Sequence, residues 1–262
     1  TYLQSFPKDA AAASTNLLLA ETLFESGDLV SAATEFERTA YDYPKNDKSA
    51  AAAYSALVAY QRHEATLDGA DKAAWNQRSI DAGVKFASAF PEHPDSGGVL
   101  TRSAEQVFAL GNLPRAIELA EQVLARQPPV DVAKQRIAWT IVGQANFDQK
   151  KFAEAEQGFM AARNVAGGDD KLRVDLNERL AQSVYRQAEA KRTEGDDSGA
   201  AEAFLRVAAL SPDSKIRTTA EYDAAAQFIN LKNWSRAIEV LEGIRRSAPQ
   251  NEFAADITSK LA

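Results

Sequence analysis

The chain has 262 residues, a formal net charge of −7, 45% hydrophobic and 8% aromatic residues, two histidines and no cysteine. The missing cysteines exclude disulfides, thiolate metal sites and a Cys nucleophile together, and acidity without a Lys/Arg cluster argues against nucleic acid or an anionic membrane as partner. No run approaches the ~18 consecutive apolar residues of a membrane-spanning helix.

Six prolines set the phase of the chain. Pro7, Pro44, Pro91, Pro128, Pro212 and Pro249 stand 37, 47, 37, 84 and 37 residues apart. The gap of 84 holds two units, because Ala155, Phe159 and Ala162 repeat the same phrase without the proline. A period near 37 marks an array of helical hairpins.

In chain order, Thr1 to Pro7 carry neither an initiator Met nor a charged-then-apolar leader and read as the last turn of a helix. The first full unit, 13–46, has Leu17, Leu18 and Phe24 at helical spacing, a stop and N-cap at Gly27-Asp28, then Ala32, Ala33, Phe36 and Ala40. The second, 47–94, is about ten residues longer, with Thr66 to Asp71 inserted between its helices. The third, 95–129, repeats the plan with Ala104, Gly111-Asn112, Ala116, Ala120 and Val123. Trp139, Gly143, Phe147, Phe152, Ala155, Phe159 and Ala162 define the fourth, 130–168. The fifth, 169–213, has a first helix lengthened over 172–193, then Gly195-Asp196, Ala200, Phe204 and Val207. In the sixth, 214–250, Tyr222 and Phe228 precede an Asn233 N-cap, a packing Trp234, Ala237, Leu241 and Ile244. Residues 251–262 read as the first helix of a further unit, so the chain is expected to be a segment of a longer repeat protein whose unpaired ends fray or pair with a second copy.

The phrase Trp139, Gly143, Ala155, Phe159, Ala162 resembles the tetratricopeptide repeat, with Gly167 standing where that repeat closes on proline. The resemblance extends over essentially the whole chain. It implies an all-α fold, a right-handed α-α superhelix of about six hairpins with a half-unit at each end, forming one solenoid over 1–262. Small residues such as Gly143, Ala155 and Ala32 would let paired helices approach, while Phe36, Phe159 and Phe204 fill the space between hairpins.

Catalytic and metal constellations are not found. His63 and His93 lack the i, i+3 or i, i+4 partner of a metal pair and read as surface residues. Gly97-Gly98 and Gly167-Gly168 lack a phosphate-cradling context, and Asp169-Asp170 and Asp196-Asp197 read as helix N-terminal acids rather than a calcium loop. No nucleophile, base and orienting group share one unit, so no enzyme activity and no cofactor are expected.

Binding is the better prospect. In the family that the chain resembles, first helices line a concave groove. The Ala–Phe register places Leu17, Glu21 and Phe24 there, then Tyr54 and Arg62, then Thr101, Glu105 and Phe108. Thr140, Gln144 and Phe147 follow, then Tyr185, Glu189 and Arg192, and finally Tyr222 and Ile229. The family's clamp for acidic chaperone tails is excluded, since Leu17, Glu21, Ser55 and Gly98 occupy its positions and Arg102 alone matches.

The endings Phe6-Pro7, Tyr43-Pro44-Lys45-Asn46 and Phe90-Pro91-Glu92-His93-Pro94 resemble those of bacterial envelope repeat proteins, such as the lipoprotein scaffold of β-barrel assembly and the Tol–Pal coordinator. That resemblance implies a non-catalytic protein-interaction scaffold in the periplasm or cell envelope, with a cytoplasmic address as the other option. Two alternatives stay open: a carbohydrate-binding scaffold for exopolysaccharide export, and a regulatory region attached to a catalytic domain. Partners are thus expected to be proteins or a polysaccharide, with a homodimer through the terminal helices, and no nucleic acid.

Overall fold

The computed structural model describes residues 2–5, 9 and 11–262. Thr1, Phe6 and Pro7, on which the reading of the first half-unit rests, lie outside the described residues. All regular elements among those described are helices, giving the all-α, tetratricopeptide-like array of hairpins that the repeat pattern implies. The chain divides into two compact units, Thr1–Leu110 and Gly111–Ala262.

The first unit holds α1 (Tyr2–Ser5), α2 (Ala12–Ser26), α3 (Leu29–Tyr41), α4 (Ser49–Glu64), α5 (Gly69–Ala89) and α6 (Ser96–Ala109). Each helix from α2 onward packs on the next, and connections of a few residues turn the chain back on itself. Ala20, Ala32, Ala33, Ala52, Ala53 and Ala56 are buried beside Phe36, Phe86 and Phe90. Alanine keeps the helix axes close, and the phenylalanines fill what the alanines leave open.

The second unit holds α7 (Leu113–Leu124), α8 (Val132–Asp148), α9 (Phe152–Asn164), α10 (Asp170–Thr193), α11 (Asp197–Leu210), α12 (Arg217–Asn230), α13 (Trp234–Ser247) and α14 (Ala254–Leu261). Its main core joins Ala155, Phe159, Leu180, Ala181, Val184, Ala200, Phe204 and Ala224. A smaller cluster of Ala225, Leu241, Ile244 and Ile257 seats α14.

One turn recurs between successive helices. Gly27 adopts φ 86° and sends its N–H to the carbonyls of Leu23 and Phe24, after which Asp28 accepts from the Ser31 N–H at 3.1 Å. Gly111 and Gly195 have positive φ in the same slot, followed by the capping side chains of Asn112 and Asp196. In the α8–α9 and α12–α13 turns that slot holds Lys150 (φ 62°) and Lys232 (φ 56°), so a side chain takes on the left-handed strain that glycine avoids.

At α8–α9 the pairing depends on absent side chains. A Cβ on Gly143 would stand 2.7 Å from Phe159 Cδ1, and one on Gly158 would stand 2.6 Å from both Cα and N of Gly143. The expectation that Gly143 permits close approach is met there, and Gly158 completes the contact from the facing helix.

Four local expectations need correction. The insertion in the second unit is only partly a loop, because Gly69 to Asp71 form the first turn of α5, a helix of 21 residues. Trp234 does not pack: it opens α13 at 56% exposure, although Asn233 does cap that helix by accepting from the Arg236 N–H at 3.3 Å. Leu18, at 64% exposure, faces outward because its neighbours Asn16 and Ala20 occupy the buried side of α2. The histidines are half-buried in aromatic packing. His63 meets Trp75 edge-on at 4.4 Å, and His93 stacks on Tyr54 at 5.4 Å while meeting Phe86 edge-on at 5.1 Å.

Candidate functional site

The first helices of the hairpins carry the residues assigned to the groove, and within the units side chains link α2 to α4, α8 to α10, α10 to α12 and α12 to α14. In the first unit, the Arg62 guanidinium of α4 lies 4.5 Å from the centroid of Phe24 on α2, and Phe24 meets Phe36 edge-on at 6.1 Å. A cation over a ring face is worth about 0.5–1 kcal/mol at an exposed site, so the pair covers Phe24 instead of leaving it free. Glu21 stays exposed one turn before Phe24. Tyr54 packs against both His93 and Phe86, the latter at 5.8 Å. On α6, Glu105 is exposed and Phe108 half-buried.

The second unit has a more continuous set of contacts. Arg179 of α10 donates to the Gln144 side-chain oxygen on α8 and, through Nε, to Asp175 at 2.8 Å. The Gln144 amide donates in turn to Asp148 at 2.8 Å. Phe147 is half-buried, edge-on to Phe152 at 5.4 Å. Tyr185 of α10 packs edge-on to Phe204 at 5.0 Å and donates its hydroxyl to Asp223 of α12 at 2.5 Å. Glu189 pairs with Arg186 at 2.6 Å and Arg192 at 3.6 Å, and Arg192 also reaches Asp223 at 4.0 Å. Tyr222 of α12 repeats the motif one hairpin later: its ring stacks on Phe253 at 4.2 Å and its hydroxyl donates to Asp256 of α14.

The electrostatics follow from these contacts. Partial burial, then the hydrogen bond to the Asp223 carboxylate, pushes the Tyr185 phenol well above its ordinary range. Tyr222 is raised for the same two reasons, in the same order. Both phenols therefore stay protonated and act as donors near neutral pH.

The structure thus brings together Phe24 with Arg62, Gln144 with Phe147, and Tyr185 with Glu189 and Arg192. Tyr222 forms its own cluster with residues outside the predicted set. All six aromatic candidates are half-buried. Tyr54, Tyr185 and Tyr222 have rings packed on neighbours, so they are not free-standing anchors. Register alone did not show Asp223, Asp256 and Arg179 as the partners that complete these contacts. A visible signal did exist: Tyr185 to Asp223 spans 38 residues and Tyr222 to Asp256 spans 34, both close to the repeat period.

A second polar group missed by pattern reading lies between hairpins. Glu156 of α9, only 8% exposed, accepts from Gln187 of α10 at 2.7 Å and from Arg206 of α11 at 2.5 Å. Arg163 donates to Asn177 at 3.2 Å and to the Leu210 carbonyl at 2.9 Å. These contacts fix α9, α10 and α11 against one another, since a buried charge is tolerated only when paired. Among the described residues no group of three His, Asp or Glu side chains could hold a metal, and no helix is long and apolar enough to cross a membrane.

No protein-family model matches the chain, and no curated protein matches it. Several solved structures do resemble it. The nearly identical TPR-like repeats of a kinesin light chain from Podosopora anserina share 16% identity over 78% of this chain and 99% of that one, with a TM-score of 0.39. The Pseudomonas aeruginosa protein PilF shares 11% identity over 95% of this chain and 97% of its own, with a TM-score of 0.36. PilW, a type IV pilus biogenesis factor, shares 16% identity over 95% of this chain and 100% of its own, at 0.35. At these identities and scores the likenesses assign neither activity nor partner.

Proposed function

We propose that this protein is a non-catalytic protein-interaction scaffold of a bacterial cell envelope, binding partner segments along the first-helix face of each unit. One observation carries the reading most directly. Within each unit that face presents half-buried aromatics beside ordered charged groups, Phe24 with Arg62 in the first and Tyr185 with Arg192 and Asp223 in the second. Rigid aromatic and Arg side chains are the usual anchors of protein interfaces, and side chains already held in place lose little freedom on binding. The envelope address rests on the aromatic-Pro endings of the repeats. Phe90-Pro91 follows α5 directly, and Tyr43-Pro44 follows α3 after Asp42.

The test is site-directed photocrosslinking. Benzoylphenylalanine placed at the exposed positions Glu21 and Glu105 should trap a discrete protein partner from bacterial envelope extract, whereas the same probe at Trp234 or Glu239 should not. Equal trapping from all four positions, or retention of polysaccharide alone, would remove the proposed face or the proposed partner class respectively.

A further inference from the structure

A cavity of about 320 Å³ opens in the second unit among α8, α9 and α10, lined by Gln144, Phe147, Phe159, Asp175, Glu178 and Arg179 together with Gln182. Its size is at the low end of ligand pockets, which run from ~300 to 1,000 Å³. That suits one long side chain and not a folded surface. Its charges do not cancel. Arg179 is occupied by Asp175 and Gln144, which leaves Glu178 as the uncompensated charge in the wall. Glu178 is held rigidly, but by neutral donors: the Ser214 hydroxyl at 2.9 Å and the Lys215 backbone N–H at 2.8 Å. Neither neutralises the carboxylate, and each oxygen keeps further acceptor capacity.

We infer that this cavity takes a single Lys or Arg side chain from the bound segment, its cationic head at Glu178 and its methylene stem against Phe147. The inference rests on the scaffold reading and names the chemistry of one contact within it. A carboxylate already fixed in place forms a strong charge-assisted hydrogen bond without further ordering. A long cationic side chain buries its stem while its head stays polar. A sugar fits less well, because stacking needs an open ring face. Phe159 is 1% exposed, and Phe147 is half-buried, which leaves width for a methylene stem but not for a sugar ring.

The test is an NMR titration of the full chain with an acetylated Gly/Ser peptide carrying one central Arg, beside the same peptide carrying norleucine. The Arg peptide should produce saturable shifts at Gln144 and Gln182, weakening as salt is raised. Glu178→Gln should weaken binding about tenfold, as expected for loss of one charge-assisted contact. Gln182→Lys, at an exposed position, should abolish it by supplying an internal cation, which keeps the proposal testable if Glu178→Gln disturbs folding. Equal response to norleucine, indifference to both substitutions, or shifts produced only by an oligosaccharide would each overturn the assignment. If crosslinking from Glu21 and Glu105 succeeds while the titration fails, the scaffold reading stands and the cavity assignment alone falls.

Discussion

The α8–α9 pairing offers a sharp physical test, because three glycines of the second unit differ in what a methyl group would meet. At Gly243 in α13 an added Cβ has nothing within 4 Å. Gly243→Ala should therefore stabilise by the full helix-propensity gain, about 0.8–1 kcal/mol. At Gly143 the Cβ would fall 2.7 Å from the Phe159 ring, which is 1% exposed and cannot swing clear. Overpacking of this kind costs about 1–3 kcal/mol, so the net effect of Gly143→Ala should be a loss of roughly 0–2 kcal/mol after the propensity gain. At Gly158 the obstruction is the backbone of Gly143 at 2.6 Å, which no rotamer change can relieve. Gly158→Ala must push the two helices apart and should lose about 2 kcal/mol or more, net of propensity. Urea denaturation followed by helical circular dichroism would rank the three variants. If Gly158→Ala is as stable as Gly243→Ala, the close helix approach and the packing argument built on it are wrong.

Three further outcomes follow from the same contacts. Phe159→Ala should cost about 3–5 kcal/mol as a buried truncation, while the half-buried Phe147→Ala should cost clearly less; equal losses by denaturation would place Phe147 in the core and off the binding face. Glu37→Gln should stabilise the protein at neutral pH: burial raises the Glu37 carboxyl above its usual value despite the nearby Lys85, so the folded state holds its proton more tightly and stability falls as pH rises past about 4.5. That advantage should fade on acidification, and a difference independent of pH would refute the assignment. Tyr185→Phe should cost about 1 kcal/mol, less than the ~1.5–3 kcal/mol of a buried hydrogen bond to a charged group because the site is partly exposed; unchanged stability in urea denaturation would show that the contact with Asp223 contributes nothing.

The sequence showed the periodic parts of this protein because periodicity is what the backbone imposes. A buried Ala or Phe recurs at the same offset in each of three hairpins, so the sequence alone places Ala32, Ala155 and Ala200 and Phe36, Phe159 and Phe204 in the core, where they lie. The turn slots were equally readable where Gly27, Gly111 and Gly195 precede a capping side chain. Non-periodic contacts were not. Trp234 has a packing residue's character yet lies outward, because the buried side of α13 is already taken by Ala237, Leu241 and Ile244. The histidines were misread for the opposite reason: their partners Trp75 and Phe86 belong to the extended α5, whose length exceeds the repeat template.

The proposed binding face is legible in the sequence as a set of positions but not in the state of their side chains. Register places a residue on the first-helix face, yet exposure there depends on the helices packed beside it, the next first helix some 34–38 residues on among them. Tyr185 is half-covered because Asp223 accepts its hydroxyl and Phe204 packs against its ring; Tyr222 because Asp256 and Phe253 do the same one hairpin later. These contacts lower the area available to a ligand and also lower the entropy lost on binding it. The aromatics are then better viewed as a fixed floor than as free anchors. Selectivity would fall to the groups with unused valence beside them, among which the Glu178 carboxylate, oriented by two neutral donors, is the clearest in the second unit.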